Sequence, residues 1–232
     1  MVKIHRRPDK LPVGSLLTLV GGFLDAYTFV RHGVFANLQS GNVVLSCIQI
    51  AAWHPRAAAL RLIPVGAFVV GVLAVELLGT PRAERFVRRP LRLVMGTQIA
   101  LLAVLSALPG GLPAPVTTVT VSFVAALQFS MFTTLHDAPY ATLMTTGNLR
   151  QLVVALYQRV VCRSPDGARR ARRYGLLVGA FTGGVLIGVV CTKWFGAPAI
   201  AVAAGMLVVV LVLVIRESHQ LERAAGERPP SP

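Results

Sequence analysis

Long apolar runs alternate with short polar or basic segments along almost the whole chain. Six of the runs predict membrane-spanning helices, at residues 11–30, 62–80, 93–108, 116–135, 174–195 and 197–215. A helix rises about 1.5 Å per residue, so runs of this length cross a hydrocarbon core of about 30 Å. Two further apolar segments, 43–53 and 149–161, are too short to cross and are typical of re-entrant or interfacial helices.

A polar motif containing a hydroxyl residue, a glycine and an asparagine precedes each short segment. The two triplets are Ser40-Gly41-Asn42 and, 106 positions later, Thr146-Gly147-Asn148. Further along each half, residues 65–73 and 178–186 agree in seven of nine positions without a gap. Both halves therefore follow one order, which is span, polar motif with short helix, span, span. This order predicts a duplication, and chance similarity between apolar segments is the alternative.

The distribution of basic residues predicts how the two halves face the membrane. If the short helices crossed it, fifteen Lys and Arg residues would lie inside and seven outside, with Arg150 within the bilayer. If they dip in and return, nineteen lie inside and four outside. Cytoplasmic loops are enriched in Lys and Arg, which favours the second arrangement and puts both termini in the cytoplasm.

Three spans per half is an odd number, so the second half enters the membrane from the opposite side. The sequence therefore predicts an all-α membrane protein with six transmembrane helices and two re-entrant half-helices, arranged as two inverted-topology repeats. The predicted divisions are a cytoplasmic N-terminus (1–10), repeat 1 (11–108), a linker (109–115), repeat 2 (116–215) and a disordered cytoplasmic tail (216–232).

The repeated triplets are the candidate ligand-binding residues: Ser40, Gly41, Asn42, Thr146, Gly147 and Asn148. Ser and Thr are predicted helix N-caps, and glycine permits a sharp turn before the helix. The free N–H groups of two helix tips that meet near the membrane midplane would bind an anionic or polar solute. Asparagine adds an uncharged donor and acceptor. The alternative is that each triplet only caps a buried turn.

Three further polar residues are predicted beside this site. Asp25 is a carboxylate within the first span, where a charge is costly unless it is paired or functional. Arg150 follows the second triplet by two residues, and Gln128 occupies a comparable place to Asp25 in the second half. A structural ion pair between Asp25 and Arg150 and a direct role of Asp25 in proton coupling or solute contact are both open.

Small residues recur at helical spacing in the matched segments. They are Ala67 and Gly71 in the first half, and Gly179, Gly183, Gly184 and Gly188 in the second. Such spacing predicts close helix packing.

Composition agrees with a membrane protein and excludes several other classes. The chain is 54% hydrophobic and 14% charged, with a mean hydropathy of +0.66. Its net charge of +14 comes from Arg clusters between apolar runs, which favours an anionic cytoplasmic leaflet over nucleic acid as partner. The three cysteines lack metal-ligand spacing, and no catalytic constellation appears. We therefore expect no cofactor, no metal site and no enzymatic activity.

Two stretches carry a family resemblance. Residues 21–29 (GGFLDAYTF) with 33–42 (GVFANLQSGN) resemble the signature of the YoaK family, a domain-of-unknown-function family of bacterial inner-membrane proteins. Leu127-Gln128 through Leu149 is similar to that family's second motif, and Ser40 stands where the family pattern has Thr. The resemblance implies a multi-pass protein of the bacterial plasma membrane without an established activity.

The leading functional prediction is a channel or transporter for a small anionic or polar solute bound at the paired tips. The runner-up is a non-transporting membrane assembly or sensor protein, in which the triplets are structural caps. The expected partners are the lipid bilayer and the solute, with further copies of the chain left open.

Overall fold

The computed structural model describes residues 11–87, 89–108, 111–132, 134–135, 138–139 and 145–226. The long helices are α1 (Leu11–His32), α3 (Pro55–Leu78), α5 (Pro90–Ala107), α6 (Ala114–Met131), α8 (Pro165–Phe195) and α9 (Ile200–Gly226). The shorter elements are α2 (Gln39–Ala51), α4 (Pro81–Glu84), α7 (Thr145–Val160), a 3-10 turn (Ala197–Ala199) and an antiparallel pair of two-residue strands, β1 (Thr134–Leu135) and β2 (Ala138–Pro139).

Six helices in these ranges are long and apolar enough to cross a membrane. This confirms the predicted all-α membrane fold and its number of spans. Four predicted segments lie partly or wholly outside the described residues: the N-terminus (1–10), the start of the linker (109–110), the start of the second polar motif (141–144) and the end of the tail (227–232).

Several helices are longer than the hydropathy pattern predicts, and α8 and α9 are extended the most. α8 begins at Pro165, so most of the basic stretch between 163 and 173 is helix rather than loop. Proline at the first helical position and an acidic residue, Asp166, in the first turn are good helix-start signals, and Arg is a good helix former. α9 continues to Gly226, although a disordered tail is predicted from residue 216.

The central helices of the bundle are α1 and α6, the first helix of each half. Their apolar windows are 72% and 56% buried, whereas those of α3 and α8 are each 22% buried. The core joins α1 and α6 to α5 and α9 through residues such as Leu17, Leu102, Val124 and Leu207. α3 and α8 therefore expose apolar surface, as lipid-facing helices do.

Helix packing follows the order predicted for a duplicated chain. α1 packs against α8 and α6 against α3, while α2 lies on α3 and α7 on α8. α1 also contacts α9, and α6 contacts α5. In a duplicated chain, α1, α2, α3 and α5 of the first half correspond to α6, α7, α8 and α9 of the second. Each contact above then has a corresponding contact: α1–α8 corresponds to α6–α3, α2–α3 to α7–α8, and α1–α9 to α6–α5. This pattern supports the duplication, while the inverted relation of the halves stays a prediction.

Glycines allow the closest crossings between the halves. A Cβ on Gly184 of α8 would overlap the backbone of Leu19 in α1, and a Cβ on Gly71 of α3 would lie 2.6 Å from Cβ of Ala126 in α6. Gly71 and Gly184 occupy the same position of the nine-residue match. Gly188 also lies against α1, but Gly179 and Gly183 have open space around them. Close packing thus involves only part of the predicted small-residue set.

The two short helices are amphipathic with the apolar side outward. In α2 the buried residues are Asn42 and Ser46, and Ser46 donates to the carbonyl of Ala58 at 3.1 Å. Its exposed residues include Val43, Val44, Ile48 and Ile50. α7 likewise exposes Leu149, Val153, Leu156, Tyr157 and Val160, together with Arg150 and Arg159. Apolar side chains on the outer surface favour contact of both helices with lipid.

The cavity between the two helix tips

The loop after α1 turns back along the helix that it has just left. Gly33 has φ +65°, a conformation that glycine adopts without strain. The backbone N–H of Asn37 donates to Asp25 Oδ1 at 2.8 Å, and Asn37 Nδ2 donates to the carbonyl of Gly21 at 2.9 Å. Gly21 lies at the middle of α1, so α2 starts about halfway along that helix rather than at its end.

Asn42 holds this loop in place. Its Oδ1 accepts from the backbone N–H of Phe35 at 2.8 Å, and its Nδ2 donates to the Phe35 carbonyl at 2.7 Å and to Gln39 Oε1 at 2.9 Å. The side chain is fully buried. The Phe35 ring stacks on Phe29 of α1 at 4.7 Å between centroids. These bonds use the amide of Asn42 within the loop itself.

The far end of α2 returns to the end of α1. The Arg61 guanidinium, near the start of α3, donates to the carbonyl of Gly33. The chain between α1 and α3 therefore runs down to the middle of α1 and comes back. This path is the one expected of a re-entrant segment, which stays a prediction for the bilayer itself.

The tip of α7 lies at a matching level on α8. Gln158 and Gln151 of α7 each accept a hydrogen bond from Arg170, at 3.4 and 3.3 Å, and Leu152 lies beside Gly175. Later residues of α7 thus contact earlier residues of α8. The first residues of α7 share a cavity with Phe181, near the middle of α8.

The two tips line one cavity of about 540 Å³ between α1 and α8. Its polar lining residues are Asp25, Ser40, Thr145, Thr146 and Gly147. Its apolar wall comprises Ala26, Phe29, Val30, Phe35, Leu38, Phe181, Val185 and Val189. A volume of this size is within the range of small-molecule sites, roughly 300–1,000 Å³.

Four of the nine predicted site residues line this cavity: Asp25, Ser40, Thr146 and Gly147. The other five do not. Gly41 lies against Phe35 and Leu38, and Asn42 is bonded within its loop. Asn148 is buried, Arg150 is exposed, and Gln128 donates to the carbonyl of Leu17 at 2.8 Å. The cavity therefore contains residues of both triplets but neither asparagine.

The predicted N-cap roles of Ser40 and Thr146 are wrong. α2 begins at Gln39 and α7 at Thr145, so both hydroxyl residues lie inside the first helical turn. Leu38 occupies the N-cap position of α2 and its side chain makes no capping bond. The sharp turn occurs earlier, at Gly33, because Asn42 ties the loop back to Phe35.

Asp25 is bonded to the loop and makes no ion pair with Arg150 among the described residues. Asp25 is 6% exposed and accepts from Asn37. Arg150 is exposed on α7. The Asp25 carboxylate thus accepts a backbone N–H bond from the loop, which favours its ionised form against the cost of burial.

Sequence reasoning missed Thr145 and Asn37 as contributors to the site. Thr145 lines the cavity, and its buried Oγ1 has no hydrogen-bond partner in the part of the chain that the structure describes. The Thr-Thr doublet ahead of Gly147 was a usable signal, because hydroxyls at the first turn of a helix often face a ligand or a cap. Nothing in the local sequence of Asn37 indicates that it bonds α1.

Comparison with known proteins identifies the family. The family model described as protein of unknown function (DUF1275) matches residues 13–213, which is most of the chain. The chain belongs to this family. No curated protein and no solved structure matches it. This DUF1275 member is an integral membrane protein by its six apolar helices. In the part of the chain that the structure describes, no group of three or more His, Cys, Asp or Glu residues could hold a metal ion.

Proposed function

We propose that this protein is a channel or transporter, not an enzyme, and that it carries a small polar solute through the cavity between the tips. The observation that supports this most is the shared lining: Ser40 of one half and Thr146 of the other border the same cavity with Asp25. Helix tips that meet near the midplane at the interface of two repeats are a recurring arrangement in transporters. Irregular backbone at that depth needs a protein or wet environment, which the cavity supplies.

The lining favours a neutral or cationic solute over an anionic one. Asp25 is the only charged side chain among the described residues of the lining. It would repel a carboxylate or phosphate and accept hydrogen bonds from a hydroxyl or ammonium group. The first-turn N–H groups of α7 and the Thr145 hydroxyl offer donors for the solute's oxygen. We therefore narrow the solute to one with a hydroxyl, amide or amine group.

The orientation that we propose places both termini in the bacterial cytoplasm and relates the two halves as inverted repeats. The described residues at the joined ends of α1 and α3 include Arg31, Arg56 and Arg61, but the opposite face carries the larger basic clusters. Cytoplasmic loops carry more Lys and Arg, so the richer face is assigned to the cytoplasm.

Flux measurements on reconstituted protein test the proposal. Stopped-flow light scattering of proteoliposomes would follow entry of glycerol, urea and methylammonium, with nitrate as the anionic comparison. We expect faster entry of at least one neutral or cationic probe than in protein-free vesicles. The double variant Ser40→Ala and Thr146→Val should slow it.

Thr182→Val is the matched control for this experiment. Thr182 is an exposed threonine of α8 outside the cavity, and its hydroxyl bonds only its own helix at 3.0 Å. It should leave the flux unchanged. Rates equal to those of empty vesicles for every probe would contradict the proposed transport.

A non-transporting assembly or sensor protein is the second candidate, and one observation favours it. Asn42 is fully engaged by its own loop, as expected of a triplet that caps a buried turn. Under this alternative, Ser40 and Thr146 variants change no flux, because there is none to change.

A further inference from the structure

The cavity opens on the outer surface of the helix bundle, not along its centre. Three lining side chains are substantially exposed, Phe29 at 45%, Val30 at 40% and Leu38 at 46%. Ser40, Thr146 and Gly147 are exposed as well. Phe29 and Val30 lie within α1, a candidate span, so the groove that they border faces the lipid when α1 crosses the membrane.

The lining combines a few polar groups with a larger apolar wall. Its polar members include Asp25 and Thr145, and the Thr145 Oγ1 is buried without a hydrogen-bond partner among the described residues. A buried hydroxyl without a hydrogen bond is destabilising unless a ligand or water completes it. The apolar wall includes Phe29, Phe35 and, from α8, Phe181, Val185 and Val189. A solute without an apolar part would leave that wall unfilled.

The volume of the cavity also favours a ligand with an apolar body. A water molecule occupies about 30 Å³ in the liquid, and the cavity measures about 540 Å³. A solute of three or four heavy atoms would fill only a fraction of it. A molecule with a polar head group and an apolar body of several carbons matches both the volume of the cavity and its mixture of polar and apolar lining residues.

We propose that the ligand of this site is an amphiphile dissolved in the membrane, with a hydroxyl or amine head and a single apolar body, which enters sideways between α1 and α8. This inference rests on the proposed function for the cavity and its polar head groups, and it extends the substrate from small polar solutes to amphiphiles that carry the same head groups. A hydroxyl head would donate to Asp25 and accept from the Thr145 hydroxyl, whereas an ammonium head would donate to both. The body would lie along Phe29, Phe181 and Val185, with its end in the lipid.

Two other occupants fit the groove less well. A second copy of the chain would cover the apolar rim, but a helix surface resting on the rim leaves the buried Thr145 hydroxyl unsatisfied. A phospholipid would bring its phosphate beside Asp25, which repels it. A single-chain amphiphile with an uncharged or cationic head avoids both costs.

Fluorescence at one wall position tests the inference. In full-length protein with Cys47, Cys162 and Cys191 replaced by Ala, Val185→Cys would carry a bimane label in lipid nanodiscs. The titrants are decanol, decylamine, decanoate, glycerol and ethanolamine. Leu186→Cys is the control, since Leu186 is next in sequence, 62% exposed and outside the cavity.

We expect saturable emission changes with decanol and decylamine at position 185 and only linear, partition-type changes at 186. Thr145→Val should weaken binding of both by about tenfold, the effect of one lost hydrogen bond in a buried site. Asp25→Asn should weaken decylamine more than decanol and allow decanoate to bind. Thermal unfolding of each variant would show that it is folded.

Each other result overturns the inference in a recognisable way. Saturation by glycerol or ethanolamine but not by the decyl compounds would exclude an amphiphile and leave the proposed transport of a polar solute intact. Equal responses at 185 and 186 would indicate partition into lipid only. Disulfide formation between two copies of a Val30→Cys variant, with no ligand response, would make the groove an interface between copies. No saturation by any compound, together with no flux, would remove the site and the proposed function together.

Discussion

The tips of α2 and α7 carry corresponding triplets, but their surroundings differ. At the first tip, a Cβ on Gly41 would lie 3.0 Å from both the Phe35 ring and the Leu38 side chain. At the second, a Cβ on Gly147 would meet nothing within 4 Å, and the neighbouring Thr145 Oγ1 is without a partner. The first tip is thus packed against its own loop and presents Ser40 to the cavity, whereas the second presents Thr145, Thr146 and Gly147.

The sequence predicted the same ligand-binding role for both triplets, but their surroundings differ. The first triplet holds a loop, and that loop bonds Asp25 through Asn37. The second triplet contributes two residues, Thr146 and Gly147, to the polar lining of the cavity.

Asn42→Ala should destabilise the protein by about 3 kcal/mol, because three side-chain bonds are lost and the Phe35 N–H and carbonyl are left unpaired. Thermal unfolding in detergent micelles would measure it. Gln39→Ala is the control, since it removes only the Gln39 contributions to the loop and should cost about 1 kcal/mol. Equal unfolding temperatures of Asn42→Ala and the parent chain would mean that the loop does not depend on this amide.

Gly184→Ala should destabilise the chain by about 2 kcal/mol, because the added methyl overlaps the backbone of Leu19 and helix backbones cannot easily move apart. Gly183→Ala, one residue earlier, should be neutral or stabilising by up to about 1 kcal/mol, since its Cβ has open space. The corresponding glycine of the first half, Gly71, should behave like Gly184. The same unfolding assay applies, and opposite signs for Gly71 and Gly184 would contradict equivalent crossings in the two halves.

Alanine at the two triplet glycines should act in opposite directions. Gly41→Ala should cost about 1 kcal/mol, since the Phe35 ring and Leu38 must shift by a few tenths of an ångström. Gly147→Ala should gain up to about 1 kcal/mol from helix propensity, because nothing opposes the methyl. The methyl would enter the cavity, so Gly147→Ala should also weaken bimane-detected decanol binding, whereas Gly41→Ala should affect stability alone. Similar stability changes in the two variants would remove the contrast between the tips.

Gln128→Met should change stability by less than about 1 kcal/mol. The substitution removes the bond to the Leu17 carbonyl but also removes a buried Oε1 that has no partner. Because Gln128 does not line the cavity, flux and ligand binding should be unchanged. A large loss of flux with normal stability would show that this residue takes part in the site.

Much of the architecture was predictable because it depends on local pattern. Twenty-residue apolar runs need no partner to be recognised, and the short apolar segments at 43–53 and 149–161 pointed to the two shorter helices α2 and α7. The helix ends were less predictable. Arginines between 163 and 173 suggest a loop by hydropathy, although they extend α8 because arginine is compatible with helix.

The candidate site was predictable in part. Ser40, Thr146 and Gly147 could be singled out because the motif recurs, and Asp25 because a carboxylate is rare within a span. Asn42 and Asn148 were predicted to contact the ligand, but neither lines the cavity. An amide side chain can bond a ligand or its own loop, and the sequence does not indicate which of the two it meets. The Thr-Thr doublet was a signal for Thr145, but the lack of a partner for its hydroxyl among the described residues is a property of the fold.

The sequence by itself determined the membrane class, the six spans and the repeated order of elements, because hydrophobicity and helix length act along the chain. Only the tertiary structure decided that α1 packs on α8, that Asn42 bonds Phe35 and that two tips from different halves share one cavity. These features depend on which helix faces meet. That is set by close packing at residues such as Gly184 and Leu19, which are far apart in sequence.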